Sequence, residues 1–289
     1  MEATYRLPLP ALLDRVTSRF ENAQGLDAVA DPLQKLVTSV PPGRLKDALS
    51  GTPSGHPLHP ALVALPIGAF AGVAVLDAVD ADPATTRRLL GFGLLTVVPT
   101  AAAGLSDWGD TGGRERRVGV VHAVCNVAAT LLLGASWWRR GRGGSGRALS
   151  TAALGLLGFS GWLGGHLAYA RGTGVDVTVF EDEITDWTDA MADVDLQDHA
   201  PAVARVGRND VLLVRHQGTI SALADRCTHR GGPLHEGELV DGCIQCPWHG
   251  SRFLLSDGTT ARGPASRPQP VYETRVLDGR VQVRSRAAR

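Results

Sequence analysis

The sequence predicts an α + β chain with the two classes in separate domains: a four-helix transmembrane bundle followed by a small all-β domain. Three observations carry this. Long apolar segments at 58–79, 89–105, 118–138 and 149–170 contain neither Lys nor Arg. Short runs rich in β-branched residues and broken by Gly, Asn, Asp or Pro fill residues 201–286. Between the two lies an abruptly acidic stretch at 174–200.

At 289 residues there is room for about two domains. Formal net charge is zero, which gives no reason to expect nucleic acid as a partner. Cys227, Cys243 and Cys246 lie within twenty residues of one another, with only Cys125 elsewhere, a crowding that suits metal binding better than a disulfide framework.

Residues 1–50 read as a peripheral amphipathic region: LPALLDRVTSRF and DPLQKLVTSV have apolar residues at helical spacing, and PPGRLKDALSG ends in a turn signal. The opening MEATYRLPLP lacks the basic and apolar tracts of a secretory signal, so none is expected. Residues 51–173 form the membrane domain. About 17–25 apolar residues cross a bilayer, and these segments are apolar all round, carry small residues throughout, and end in WW-RR or SDW patterns suited to the interface. The second, which holds Pro99, is the shortest. Residues 174–200 carry nine acidic residues and no basic one, and read as an exposed, partly ordered linker. AVARV, DVLLVRH, TISALAD, GCIQC, SRFLLS, YETRVL and RVQVRS then supply the strands of the domain at 201–286.

Within that domain, CTHRGGPLHEGELVDGCIQCPWHGSRF sets Cys227 and His229 two apart and Cys246 and His249 three apart, with sixteen residues between the pairs. Two thiolates and two imidazoles could hold tetrahedral zinc or an iron–sulfur cluster. Zinc fingers usually group cysteines together and histidines together, whereas here each loop supplies one of each. The spacing therefore argues for a [2Fe–2S] centre in which two histidines replace two cysteines on one iron.

Along residues 192–286 the chain resembles a ferredoxin-type Rieske domain, from NDVLLVRH through the two loops to the GPA of Gly263 to Ala265. The resemblance implies that Cys227 and Cys246 bind the inner iron, and His229 and His249 the outer one, near the surface. High-potential quinol-oxidising relatives carry a second cysteine pair and a tyrosine; the matching positions here are Gly232, Trp248 and Phe253, while the serine is kept as Ser251. Fewer hydrogen bonds to cluster sulfurs lower the potential, so the lower part of the Rieske range is expected, roughly −150 to 0 mV. Cys243 fits no ligand position and is expected as a small buried strand residue.

Residues 45–175, with GHPLHPALVALPIG, GLSDW, HAVCN and GWLGGHLAYARGTGV, resemble a four-span bacterial membrane domain family, DUF2231-like, a resemblance that brings no activity with it. Four antiparallel spans place His56, His59, Asp107, His122 and His166 towards one membrane face, where the fourth span hands over to the β domain. Ionisable residues in spans are candidate functional groups. His56, His59, His122 and His166 are thus a second candidate site, for one haem b, a mononuclear metal or a quinone, with a purely structural polar cluster as the alternative. Asn126, four residues from His122, shares its face.

The expected function is that of a membrane-anchored carrier of single electrons between a membrane redox partner, quinone or haem, and another protein. The alternatives are an anchored ferredoxin-like component of an oxygenase or reductase system, or a redox-sensing membrane protein. Only about twenty residues follow the β core, too few for an oxygen-activating iron domain, so no complete catalytic site is expected. The expected location is the cell membrane, multi-pass. Six basic residues near the spans on one side face six on the other, a tie under the positive-inside rule. From the absent export signal and reduced-looking cysteines, both termini, and with them the Rieske-like domain, are expected on the cytoplasmic side.

Overall fold

The computed structural model describes residues 8–286. The chain divides into two compact units: residues up to Val40 with His59–Thr173, and Pro41–Leu58 with the residues from Gly174 onward. The sequence-based boundary between residues 50 and 51 falls inside the short segment Pro41–Leu58, which groups with the β domain.

The first unit opens with α1 (Pro8–Asn22) and α2 (Asp27–Thr38), while α3 (Arg44–Ser50) belongs to the second. α4 (Leu58–Leu62) and α5 (Ala64–Ala78) form the first span, followed by α6 (Pro83–Gly109), α7 (Gly113–Arg140) and α8 (Arg147–Gly165), the last prolonged by a π turn at His166–Ala170. These four spans, of 21 to 28 residues, are long and apolar enough to cross a membrane. The second runs well beyond its apolar tract. Asp82 caps it by accepting the Thr85 N–H at 2.8 Å, and Pro83 takes the first helical position, where a missing N–H costs nothing. Phe70, Val73, Leu90, Ala129, Leu133 and Ala153 fill the centre of the bundle. A side chain at Gly93 would collide with the Phe70 ring, so the glycine allows α5 and α6 their close approach.

At one end of the bundle an ion pair joins three spans. Arg140 donates to both Asp77 oxygens at 2.9 and 2.7 Å and to Ser150 Oγ at 3.1 Å. Elsewhere in this unit Asp27, on α2, accepts from Arg117 at 2.7 Å and from Arg116 at 3.0 Å, fastening α2 to the start of α7. The hydrogen bonds from Arg117, then those from Arg116, hold the Asp27 carboxyl down from 3.8 to about 2. A depressed carboxylate stabilises the fold above its ordinary value, and the contribution is lost as pH falls through the folded one. Protection factors of α2 amides, normalised to the intrinsic exchange rate at each pH, are therefore expected to stay high at pH 5 and to fall as pH drops towards 2, whereas Asp27→Asn shows the lower protection already at pH 7.

In the second unit, β1 (Thr188–Ala192), β2 (Pro201–Val206), β3 (Asn209–His216), β4 (Thr219–Ala224), β9 (Val271–Leu277) and β10 (Arg280–Ser285) build one antiparallel sheet in the order β1-β10-β9-β4-β3-β2. β5 (Glu238–Val240), β6 (Cys243–Gln245), β7 (Arg252–Leu254) and β8 (Thr260–Arg262) build a smaller one in sequence order. β3 reads as a continuous apolar run because both its faces are buried. Val211 and Leu213 enter one core with Ala222 and Val281, while Leu212 and Val214 enter another with Ile244 and Phe253.

The acidic stretch is ordered, contrary to the linker expected from its composition. Its residues form β1, paired with β10 from Thr188↔Val283 to Ala192↔Arg280. The reason is charge and stacking supplied from far along the chain. Arg280 meets Asp189 at 3.2 Å, and Arg275 and Arg284 lie over the Trp187 ring at 4.5 and 4.6 Å.

Candidate metal centre

The two cysteine-bearing loops share one backbone frame. Cys227 N–H donates to Gly232 O at 2.9 Å, and its carbonyl accepts from Gly231 N–H at 2.7 Å; Cys246 N–H donates to Ser251 O at 2.8 Å, and its carbonyl accepts from Gly250 N–H at 3.1 Å. Gly231 and Gly250 occupy the same place in the two turns and share a left-handed φ of 72° and 75°, which glycine adopts without the cost borne by a side chain. One loop follows β4 and the other joins β6 to β7, so strands of both sheets position them.

The four expected donors come together as two pairs, thiol with thiol and imidazole with imidazole. Cys227 and Cys246 are buried in one apolar cluster with Leu234, Ile244, Phe253 and Ala265. A hydrogen bond between the two thiols, with burial, pushes Cys227 well above the usual thiol range, and the same bond draws Cys246 down to about 7. The His229 and His249 rings stand edge to face with centroids 5.0 Å apart. Although half-exposed, His229 has enough protein around it for burial to push its pKa well below the histidine range, aided by the charges of His249, Arg230 and Lys46. A neutral imidazole is the form that binds metal.

Among the described residues no three His, Cys, Asp or Glu side chains converge on one point as a single ion would require. Paired thiols with paired imidazoles instead fit a two-iron group, sulfur ligands inward and nitrogen ligands outward. Gly232 and Trp248, at the positions of the second cysteine pair, face each other: a Cβ on Gly232 would stand 3.1 Å from the Trp248 ring and 2.9 Å from Cys246 Sγ. Trp248 is exposed and lies edge-on to His249, leaving an aromatic surface beside that imidazole.

Of the residues that brace these loops, Ser251 was singled out in the sequence, whereas Gln269, Asp225, Arg262, Asp47 and Thr52 were not. Buried Gln269 accepts from Thr228 N–H at 3.1 Å and donates to Ala224 O and Arg226 O, each at 2.8 Å. Buried Asp225 accepts from the His235 N–H at 2.8 Å and from its Nδ1 at 2.7 Å. Arg262 donates to Gly250 O at 2.6 Å, and Ser251 Oγ accepts from Ala265 N–H at 2.9 Å. The loop at Gly263 to Ala265 is held in turn by the segment Pro41–Leu58. Asp47 accepts from Gly263 N–H, and Thr52 Oγ1 donates to Ala265 O, both at 3.0 Å. Polar partners scattered at such separations leave no periodic mark in a sequence.

The membrane histidines do not converge. His59 Nδ1 donates to Thr100 O at 2.9 Å, and His166 Nε2 donates to Glu21 Oε1 at 2.9 Å. His122 uses both ring nitrogens: Nδ1 reaches Ser160 O at 2.8 Å, and Nε2 accepts from Asn126 at 3.0 Å, the neighbour expected from the four-residue spacing. His56 lies in the segment that groups with the β domain. Haem b finds no support in this arrangement, since both His122 nitrogens and His166 Nε2 are already engaged by protein groups.

Residues 186–273 match the Rieske [2Fe-2S] domain family, and residues 55–177 match the family described as a predicted membrane protein, DUF2231. The chain is 29% identical over 103 residues to the anthranilate 1,2-dioxygenase ferredoxin subunit of Burkholderia cepacia, covering 36% of this chain and 95% of that one. It is 37% identical over 81 residues to ferredoxin CarAc of Metapseudomonas resinovorans, covering 28% and 76%. A third relative, the cytochrome b6-f complex iron-sulfur subunit of Chlorobaculum tepidum, is 36% identical over 73 residues, which is 25% of this chain and 39% of that one. The chain thus belongs to the Rieske [2Fe-2S] family, its cluster domain following a multi-pass membrane domain that matches DUF2231.

Proposed function

We propose that this protein carries single electrons between a redox partner in the membrane and a second protein, with Cys227, His229, Cys246 and His249 as the ligands of its cluster. The matched pair of loops carries this reading: a duplicated backbone frame presents two buried thiols and two outward imidazoles. A [2Fe-2S] cluster, when bound there, supplies one-electron chemistry. The residues around it do the rest. Gln269, Asp225 and Arg262 fix the loops, limiting the rearrangement that accompanies a change of charge. His229 and His249 offer the short route to a docked partner, and exposed Trp248 gives that partner an apolar contact.

The oxygenase ferredoxins among the relatives favour, as the second reading, an anchored ferredoxin-like component of an oxygenase or reductase system. A quinone as the membrane-side partner and a cytoplasmic cluster domain belong to the first reading; selective labelling of Cys243→Ala/Cys125→Ser variants with an engineered surface cysteine in β2 decides the side.

The deciding experiment is a reduced-minus-oxidised optical spectrum of the detergent-purified chain, with electron paramagnetic resonance on the same sample. A Rieske signal without haem bands is expected. Absence of the signal from iron-replete protein would end the proposal. The potential provides a further check: Phe253 is fully buried in the apolar cluster that holds both cysteines, so no hydroxyl reaches the centre from that position. Redox titration is expected to give roughly −150 to 0 mV, and Phe253→Tyr to raise the value. A wild-type potential far above zero would contradict the tuning argument.

A further inference from the structure

At the end of the bundle where α5 meets α6 and α7 meets α8, the stretches 77–88 and 139–147 hold six arginines and three aspartates. The aspartates are committed. Asp77 binds Arg140, Asp80 binds Arg147 at 2.6 Å, and Asp82 caps α6. Among the described residues, Arg87, Arg88, Arg139 and Arg142 have no ion-pair partner. Two of the four are nevertheless held in place. The Arg87 guanidinium lies 4.1 Å over the Trp137 ring and donates to Trp137 O at 3.3 Å, and that of Arg142 lies 4.1 Å over Trp138.

Beside them runs a groove of about 620 Å³, lined by Arg87, Arg88, Phe92, Leu94, Leu95 and Trp137. Gly91 keeps it shallow enough for Trp137 to lie flat on α6, since a Cβ there would stand 3.0 Å from the indole nitrogen. Exposed Phe92 and Leu95 continue the apolar wall along the span.

The geometry points to a binding site for one anionic phospholipid, its phosphate held by Arg87 and Arg88 and one acyl chain laid along Phe92, Leu94 and Leu95. Charge complementarity selects this occupant. Arg87, covered on one face by Trp137, and exposed Arg88, which feels the Asp82 charge without pairing with it, present their donors to a phosphate at the depth where headgroups meet hydrocarbon. A zwitterionic lipid would bring its own cation next to four arginines that have no ion pair among the described residues.

The test uses the full chain, native mass spectrometry, and phosphatidylglycerol against phosphatidylcholine of identical acyl composition. Wild-type protein is expected to retain phosphatidylglycerol about tenfold or more in preference. Arg88→Gln, an exposed position whose change leaves the packing intact, is expected to reduce that preference, and Arg87→Gln/Arg88→Gln to abolish it. Leu95→Gln is expected to weaken retention of both lipids together. Equal retention of the two lipids by wild-type protein would overturn the proposal, as would an unchanged preference in the double arginine variant. Displacement of the bound lipid by millimolar inorganic phosphate would reassign the site to the free anion. Unchanged helical ellipticity of each variant in detergent shows that its bundle is folded.

Discussion

Cys246→Ser protein is expected to lack the Rieske resonance entirely while still inserting in the membrane and keeping its bundle. Cys246 is 3% exposed and sits opposite Cys227, so no water-borne thiol or neighbouring side chain can take its place. Cys243 is the nearest thiol in sequence, but it lies on β6, paired with Leu254 of β7, with its sulfur 3.9 Å from Asp241 O. A serine hydroxyl is a harder and far weaker ligand at neutral pH than a thiolate, and an iron left with a single thiolate is labile. Iron and sulfide analysis beside the resonance spectrum separates loss of the cluster from a silent oxidation state. Cys243→Ala is the matched control and is expected to retain full iron and signal. If Cys246→Ser kept its cluster and Cys243→Ala lost it, the ligand assignment would be wrong at that position.

Asp77→Ala is expected to destabilise the bundle by about 3–5 kcal/mol, the cost of leaving a buried charge without its partner. The Arg140 side chain is 6% exposed and that of Asp77 13%, and the pair links α5, α7 and, through Ser150, α8. Removal of the carboxylate strands the guanidinium among helices, where only Ser150 and Ser136 remain as partners. The double change Asp77→Ala/Arg140→Leu is expected to recover most of the loss, because a neutral apolar pair needs no compensation. Unfolding of the detergent-solubilised chain, followed by helical ellipticity, measures both. A loss below about 1 kcal/mol in the single variant would mean that water reaches Arg140 and that the bridge behaves as a surface pair.

How much could be read beforehand depended on whether the signal was local. The pairing of Cys227 with Cys246 and of His229 with His249 was legible because each loop writes its cysteine and histidine within four residues, and the strands were legible from their β-branched runs. The spans stood out by length and apolarity, although α6 starts at Pro83, before its apolar tract, because the cap at Asp82 and not hydropathy sets its beginning. The acidic stretch was misread for the opposite reason: Arg280, which pairs with Asp189, and Arg284, which covers Trp187, arrive some ninety residues later, and composition alone cannot pair them. Gln269, about forty residues from the backbone groups it holds, is likewise indistinguishable in sequence from any surface glutamine. His59, His122 and His166 show the converse failure. Shared depth made them look like one site, yet each satisfies a different neighbour.

The segment Pro41–Leu58 acts as a ligand in cis. It is covalently continuous with the membrane unit at both ends, and it grips the loop at Gly263 to Ala265 through Asp47 and Thr52. The chain therefore passes between its two units at three points instead of the single junction at Thr173–Gly174. A nick between residues 174 and 186 would not free the C-terminal fragment at once, because the segment would still face it at an effective concentration on the order of millimolar. Conversely, a soluble fragment cut to begin at Gly174 would lose one wall of its third loop, and any potential measured on it would belong to an incomplete domain.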